Sequence, residues 1–295
     1  MKTEKIFLFD NERERKVETD VFLPEDVDNS PILYFSHGAG GTPENYLYLF
    51  RYLTKHGYSI FAPHHPGSDR KALKNLLDKG LNVKEAILKM LEDKDEWINR
   101  PKDISFLIEE TYKLKKDWKF LNLKKMGAFG HSYGSYTVTV ISGAKIFMNG
   151  NFISLKDERI KAVVSYSPQG DDSLGIPRMF KPSSWKDIKI PFLQITGSND
   201  IGIEGQPVEW RMQGFKEAES KEKYFLLIYG ANHFDFTDKG KDDGEIHKLI
   251  KFLTYTFFEI VLFKKFNLKV YLREETLRKN FVGGEIEDIL LLKAM

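Results

Sequence analysis

The chain reads as an α/β protein with a mostly parallel central sheet of about eight strands, flanked by helices and carrying a helical insertion. Two observations predict this. Short apolar runs bounded by turn residues recur at 31–36, 58–63, 125–129, 162–167, 192–196 and 224–229. Strands buried on both faces look like this. Stretches with helical spacing lie between these runs, and such alternation implies a parallel sheet covered on both faces. At 295 residues the chain can bury a sizeable core, and residues 1–295 read as a single domain.

Each element has its own signal. Residues 6–10 and 17–23 flank the charged turn 11–16 and read as an antiparallel hairpin. The run 31–36 leads into His37-Gly38-Ala39-Gly40-Gly41. Helical spacing follows over 42–56, and Gly57 closes it. The strand 58–63 ends in His64-His65-Pro66-Gly67. Residues 69–121 carry no strand signal. They read as two or three helices, with Pro101 at a helix start. A helix is expected over 132–147, helical structure over 207–218, and a long helix over 245–263. Residues 267–295 form an extension that reads as a strand or helix pair.

Composition excludes several functions. Lys and Arg number 45 against 43 Asp and Glu, a formal net charge of +2. That balance gives no electrostatic case for nucleic acid or an anionic membrane as partner. The chain has no cysteine, which excludes disulfides, thiolate metal sites and a Cys nucleophile. No apolar run reaches about 18 residues, so no membrane span is expected. Residues 1–20 alternate charged and apolar side chains without an apolar signal core, so a cytoplasmic location is expected.

Gly130-His131-Ser132-Tyr133-Gly134 matches the G-x-S-x-G elbow, in which a tight strand-to-helix turn exposes a serine hydroxyl. Chance yields this pattern readily, but its place between an expected strand and an expected helix is the context that the motif requires. A serine hydroxyl needs a base to take its proton, and this elbow's fold supplies an acid and then a histidine downstream. Asp200 follows the strand 192–196, and His233 follows the strand 224–229. The expected triad is therefore Ser132, Asp200 and His233. The loop Gly38–Gly41 follows an early strand and suits an oxyanion hole. The N–H of Ala39 is the expected donor, Gly40 the near alternative, and the N–H of Tyr133 the second donor.

Blander readings apply to each part alone: a surface turn, a capped histidine, an ordinary loop carboxylate. Four parts in the right order, each after its own strand, outweigh them. Asp171 and Asp172, after the strand 162–167, are rival positions for the acid. His64-His65 is weighed as a metal pair and set aside, because no Asp or Glu clusters with it in sequence; no metal is expected. His131 beside the nucleophile reads as structural. Gly40, His65, His131 and Trp97 are candidate substrate contacts.

The chain resembles the dienelactone-hydrolase-like branch of the α/β hydrolases, which is similar to bacterial and plasma platelet-activating-factor acetylhydrolases. The resemblance runs from residue 10 to about 235. Its carriers include Ser36-His37-Gly38-Ala39-Gly40-Gly41, His65-Pro66-Gly67-Ser68, Ser167-Pro168 and the elbow. The segment Arg100-Pro101-Lys102-Asp103-Ile104-Ser105-Phe106 is the most specific to the branch. The resemblance implies an α/β-hydrolase fold and a cofactor-free Ser–Asp–His esterase acting on a small-molecule ester, with the triad on the same three residues. Dienelactone hydrolases proper use a Cys nucleophile, where this chain has Ser132; Ser135 stands where the branch usually has Gly. Amidase, peptidase or thioesterase activity would use the same triad, and a catalytically silent ligand-binding member of the fold is the reading from another class.

Overall fold

The structure, a computed structural model, describes residues 1–174, 179–240 and 244–294. Strands β1 (Lys2–Asp10) and β2 (Arg15–Leu23) form the expected hairpin. Then come β3 (Ser30–Ser36), a 3₁₀ turn (Pro43–Tyr46), α1 (Leu47–Lys55) and β4 (Ser59–Pro63). Gly57 takes φ +90°, a conformation that suits a residue without Cβ just past a helix. Three helices follow: α2 (Arg70–Leu77), α3 (Val83–Glu92) and α4 (Lys94–Leu114). Next are β5 (Leu121–His131), α5 (Tyr133–Ile141) and a separate hairpin of β6 (Lys145–Met148) and β7 (Asn151–Ser154). The chain continues through β8 (Val163–Tyr166), β9 (Phe192–Asn199), α6 (Gln213–Glu217) and β10 (Lys223–Asn232). It ends with α7 (Glu245–Phe263), α8 (Glu274–Phe281) and β11 (Asp288–Lys293).

The main sheet has nine strands in the order β1-β2-β4-β3-β5-β8-β9-β10-β11. The six strands from β4 to β10 in that order are parallel. Antiparallel strands close both edges, β1 and β2 at one and β11 at the other. The extension 267–295 thus contributes α8 and a ninth strand. Side chains alternate along β3, so Leu33 and Phe35 enter one core with α1 and α7. Ile32 and Tyr34 enter the other with α4 and α5. This is the two-faced burial that a continuous apolar strand encodes.

Two helix boundaries differ from the sequence expectation. The helix expected over 132–147 stops at Ile141. Gly143 takes φ +128°, and a Cβ there would lie 2.5 Å from the Asp187 carbonyl oxygen. Pro101 does not start a helix but lies inside α4, whose N-terminus is capped by Asp93. A mid-helix proline cannot donate to the carbonyl four residues back. That carbonyl, Trp97 O, instead accepts from the Tyr136 hydroxyl at 2.7 Å.

Candidate active site

The elbow sits where β5 passes into α5. Ser132 holds φ +57° and ψ −117°, a strained state for a non-glycine residue. The turn packs against β3 so closely that a Cβ on Gly134 would lie 1.7 Å from the Ser36 carbonyl oxygen. One on Gly130 would lie 2.4 Å from Gly134 O. Both glycines are therefore steric requirements of the turn. Ser135 is also accommodated: its hydroxyl is hydrogen-bonded to that of Ser165. The Ser132 side chain faces a cavity of about 710 Å³ that His233 also lines.

Asp200 and His233 meet beside that cavity. The His233 Nδ1–H donates to Asp200 Oδ1 at 2.8 Å, which leaves Nε2 as the proton acceptor. Asp200 is fully buried. Burial opposes its ionisation, but Arg211 and then His233 outweigh that and hold the carboxyl far below the usual range. Arg211 Nη2 lies 2.8 Å from the same Oδ1, and Thr196 Oγ1 donates to Oδ2 at 2.8 Å. Among the described residues, Ser132 Oγ has no hydrogen-bond partner; such contacts often form only with substrate bound. The rival acids are engaged elsewhere. Asp171 accepts from Ser173 N at 2.9 Å, and Asp172 pairs with Lys181.

The glycine loop sorts its own N–H groups. Gly38 N donates to the Tyr46 hydroxyl at 3.3 Å. Gly40 N donates to Ser68 O at 2.8 Å, and Gly41 N to Gly38 O at 3.0 Å. Among the described residues no acceptor takes the N–H of Ala39, so it is the loop's available donor, and Gly40 is spent. The N–H of Tyr133 lies in the first turn of α5, where no intrahelical acceptor exists.

The other candidates divide. Gly40 and His131 line the cavity. His131 Nε2–H donates to His233 O at 3.1 Å, and Nδ1 accepts from the Tyr46 hydroxyl at 2.9 Å. His131 thus links the glycine loop to the His233 loop. Burial, and then His233, push its pKa well down, in keeping with a neutral ring. His65 and Trp97 are not among the lining residues. His65 is fully buried, bonded to Ser36 Oγ and to Asp103 Oδ2 at 2.9 Å each. Trp97 is buried in the core, with Nε1 donating to Leu91 O at 2.7 Å. The insertion's wall is Leu73, Val83, Ile87 and Leu91, facing Ile201, Ile203 and Trp210. The wall is thus built by α2 and α3, while α4 packs on the sheet through Ile104, Leu107 and Ile108.

Both adjacent histidines do meet carboxylates, contrary to the sequence expectation. His64 Nε2 lies 2.9 Å from Asp20 Oδ2. Asp20, Glu44 and His64 hold ligand-type atoms within 4.8 Å of one another. The Lys5 ammonium stands 3.3 Å from Asp20 Oδ1 and already supplies a cation to that carboxylate. Arg211, Tyr46 and Thr196 carried no sequence signal, since an isolated residue of these types belongs to no motif.

No family model matches the sequence, and no curated protein matches it. Among solved structures, the chain is similar to a cold-adapted esterase from an Arctic intertidal metagenomic library, determined as a PEG-bound complex. The TM-score is 0.54 at 14% identity, over 79% of this chain and 86% of that one. At that identity the likeness establishes the fold: this is an α/β-hydrolase fold.

Proposed function

We propose that the chain is a serine hydrolase that cleaves carboxylic esters through an acyl-enzyme on Ser132. One observation carries the reading: Ser132, strained at φ +57°, shares a cavity with a histidine whose Nδ1–H is held 2.8 Å from a buried, ionised Asp200. In this mechanism His233 Nε2 takes the Ser132 proton as Oγ attacks the ester carbonyl. Asp200 fixes the imidazole tautomer and stabilises its positive charge. The N–H groups of Ala39 and Tyr133 receive the developing oxyanion. The tetrahedral intermediate collapses to the acyl-enzyme, and the departing alcohol takes the proton from His233. Water then attacks the acyl-enzyme carbonyl and gives a proton to the neutral His233, which returns it to Ser132 Oγ as the carboxylic acid leaves. The name of the structural neighbour, an esterase, agrees with this chemistry. The apolar wall from α2 and α3 favours an ester with an aliphatic acyl or leaving group. The narrower kinship with the dienelactone-hydrolase-like branch is supported by its most specific segment, since Arg100 and Asp103 both join the polar network behind the glycine loop.

The test is fluorophosphonate labelling with peptide mapping, alongside a p-nitrophenyl ester series of rising chain length. Wild type should be labelled at Ser132, and Ser132→Ala should lose about 10³-fold or more in kcat. Wild-type inertness to both reagents would overturn the reading.

A further inference from the structure

Arg100 lies on α4, outside the cavity, and its guanidinium is fully buried. It makes four hydrogen bonds, each to a segment that carries or supports an oxyanion donor. Two go to the strand end before Ala39: Nη2 donates to Ser36 Oγ at 2.9 Å and also to the His37 carbonyl. Nη1 donates to Ser68 Oγ at 2.7 Å, and the carbonyl of Ser68 holds the N–H of Gly40. The fourth goes to the other side: Nε donates to Thr137 Oγ1 at 3.0 Å. Thr137 in turn donates to the Tyr133 carbonyl at 3.1 Å. The Arg100 Cζ also stands 4.4 Å from the centre of the Tyr133 ring, a cation–π distance.

This arrangement is unusual for a buried arginine. Among the described residues no carboxylate forms an ion pair with it. Its link to an anion is indirect. Arg100 can only donate, so Ser36 Oγ accepts from it and passes its own hydrogen to His65 Nε2. The His65 Nδ1–H then reaches Asp103 at 2.9 Å. Asp103 also receives Arg13 at 2.8 Å and Arg15 at 2.9 Å. Burial pushes the Arg100 pKa down to about 10, which leaves the guanidinium charged at neutral pH. A fork with five N–H groups in one plane fixes the relative position of several acceptors; an ammonium cannot do the same.

We propose that Arg100 is a positioning residue that clamps the two halves of the oxyanion hole, holding the loop of Ala39 and the first turn of α5 at one separation. The proposal rests on the esterase reading. It acts on geometry that matters chiefly when negative charge develops on the carbonyl oxygen, so its loss should appear in kcat and not in KM.

The test measures kcat, KM and melting temperature for p-nitrophenyl butyrate, and the Ki of an alkylboronic acid that mimics the tetrahedral intermediate. Arg100→Lys should lower kcat about 10²-fold, as removal of an oxyanion donor does, with KM changed less than about threefold. Boronate affinity should fall in parallel with kcat. Thr137→Val and Ser68→Ala each remove one arm of the clamp and should show the same split at about tenfold. They decide the matter if Arg100→Lys does not fold. Phe257→Leu, in the core on the opposite sheet face, should lower the melting temperature and keep kcat. A folded Arg100→Lys with wild-type kcat and boronate affinity overturns the clamp while leaving the esterase intact. So does a kcat loss in Phe257→Leu as large as that in the clamp variants. A wild type that hydrolyses no ester and takes no fluorophosphonate overturns the esterase reading, and the clamp with it.

Discussion

Gly134 and the Ser36 carbonyl oxygen stand so close that a single added methyl on the glycine would lie 1.7 Å from that oxygen. The contact joins the first turn of α5 to the end of β3, and with it Ser132 to the loop that carries Ala39. Backbone lies on both sides, so no side-chain rotation relieves it. Gly134→Ala should therefore destabilise the fold by more than about 4 kcal/mol, the range reserved for severe overpacking or strain. Gly80→Ala is the comparison: that glycine takes φ +92° but has open space around it, so the backbone penalty alone should remain. Chemical denaturation of both variants checks the ranking.

Asp200 and the rival Asp171 are separable by substitution. Asp200→Asn removes the charge behind His233 and lets the amide hold the wrong tautomer, which should cost roughly 10³- to 10⁴-fold in kcat. Asp171→Asn should leave kcat close to wild type, because Asp171 binds Ser173 and not the histidine. Steady-state kinetics of the two variants on one activated ester decides between them. The reverse ranking moves the acid to the loop after β8.

Ester preference should follow the cavity wall. Leu73 and Ile87 line the cavity and approach Gly40. Shortening either to Ala should shift the kcat/KM ratio between short and long acyl esters, by about 1–3 kcal/mol per methylene accommodated. Trp97→Ala should act differently. Trp97 is core, so the variant should lose about 3–5 kcal/mol of stability and keep the wild-type ratio. A p-nitrophenyl ester series on the three proteins checks this, and an unchanged ratio in both wall variants sinks it.

Three buried histidines should make stability fall in mild acid. His37, His65 and His131 are each held well below the ordinary histidine pKa, by burial first and then by neighbouring charge, Arg100 for the first two and His233 for the third. The unfolded chain therefore binds more protons than the folded one once pH drops below about 6.5. Stability should be level above that point and decline as pH falls from it. Calorimetric unfolding at pH 5.5 in two buffers of different ionisation enthalpy should reveal net proton uptake. No uptake would mean that these rings are charged in the fold. Asp200 adds a second, lower window. Its folded pKa is depressed, so its contribution is complete above about pH 4 and is lost only as pH falls further.

The local sequence determined whatever a local pattern can encode. Continuous apolar runs specify the parallel strands, because a strand buried on both faces needs apolar side chains at every position. The elbow specifies where Ser132 lies, since a small residue between two glycines at fixed spacing is a local steric requirement. Chain order placed Asp200 and His233 after their strands, because parallel strands bring their C-terminal ends to one edge. Tertiary structure decided the rest. Arg211 reaches Asp200, and Tyr46 reaches His131, across gaps of sequence that no periodicity spans. Pro101 stays inside α4 because a hydroxyl from α5 satisfies the carbonyl that it orphans, and local propensity carries no record of that partner. Trp97 and Leu73 were alike as apolar helix residues in sequence. Only the packing of α4 against the sheet, and of α2 and α3 over the glycine loop, sends one into the core and the other to the cavity. Pairings between distant residues are fixed by the whole fold, where burial and hydrogen-bond satisfaction are settled together.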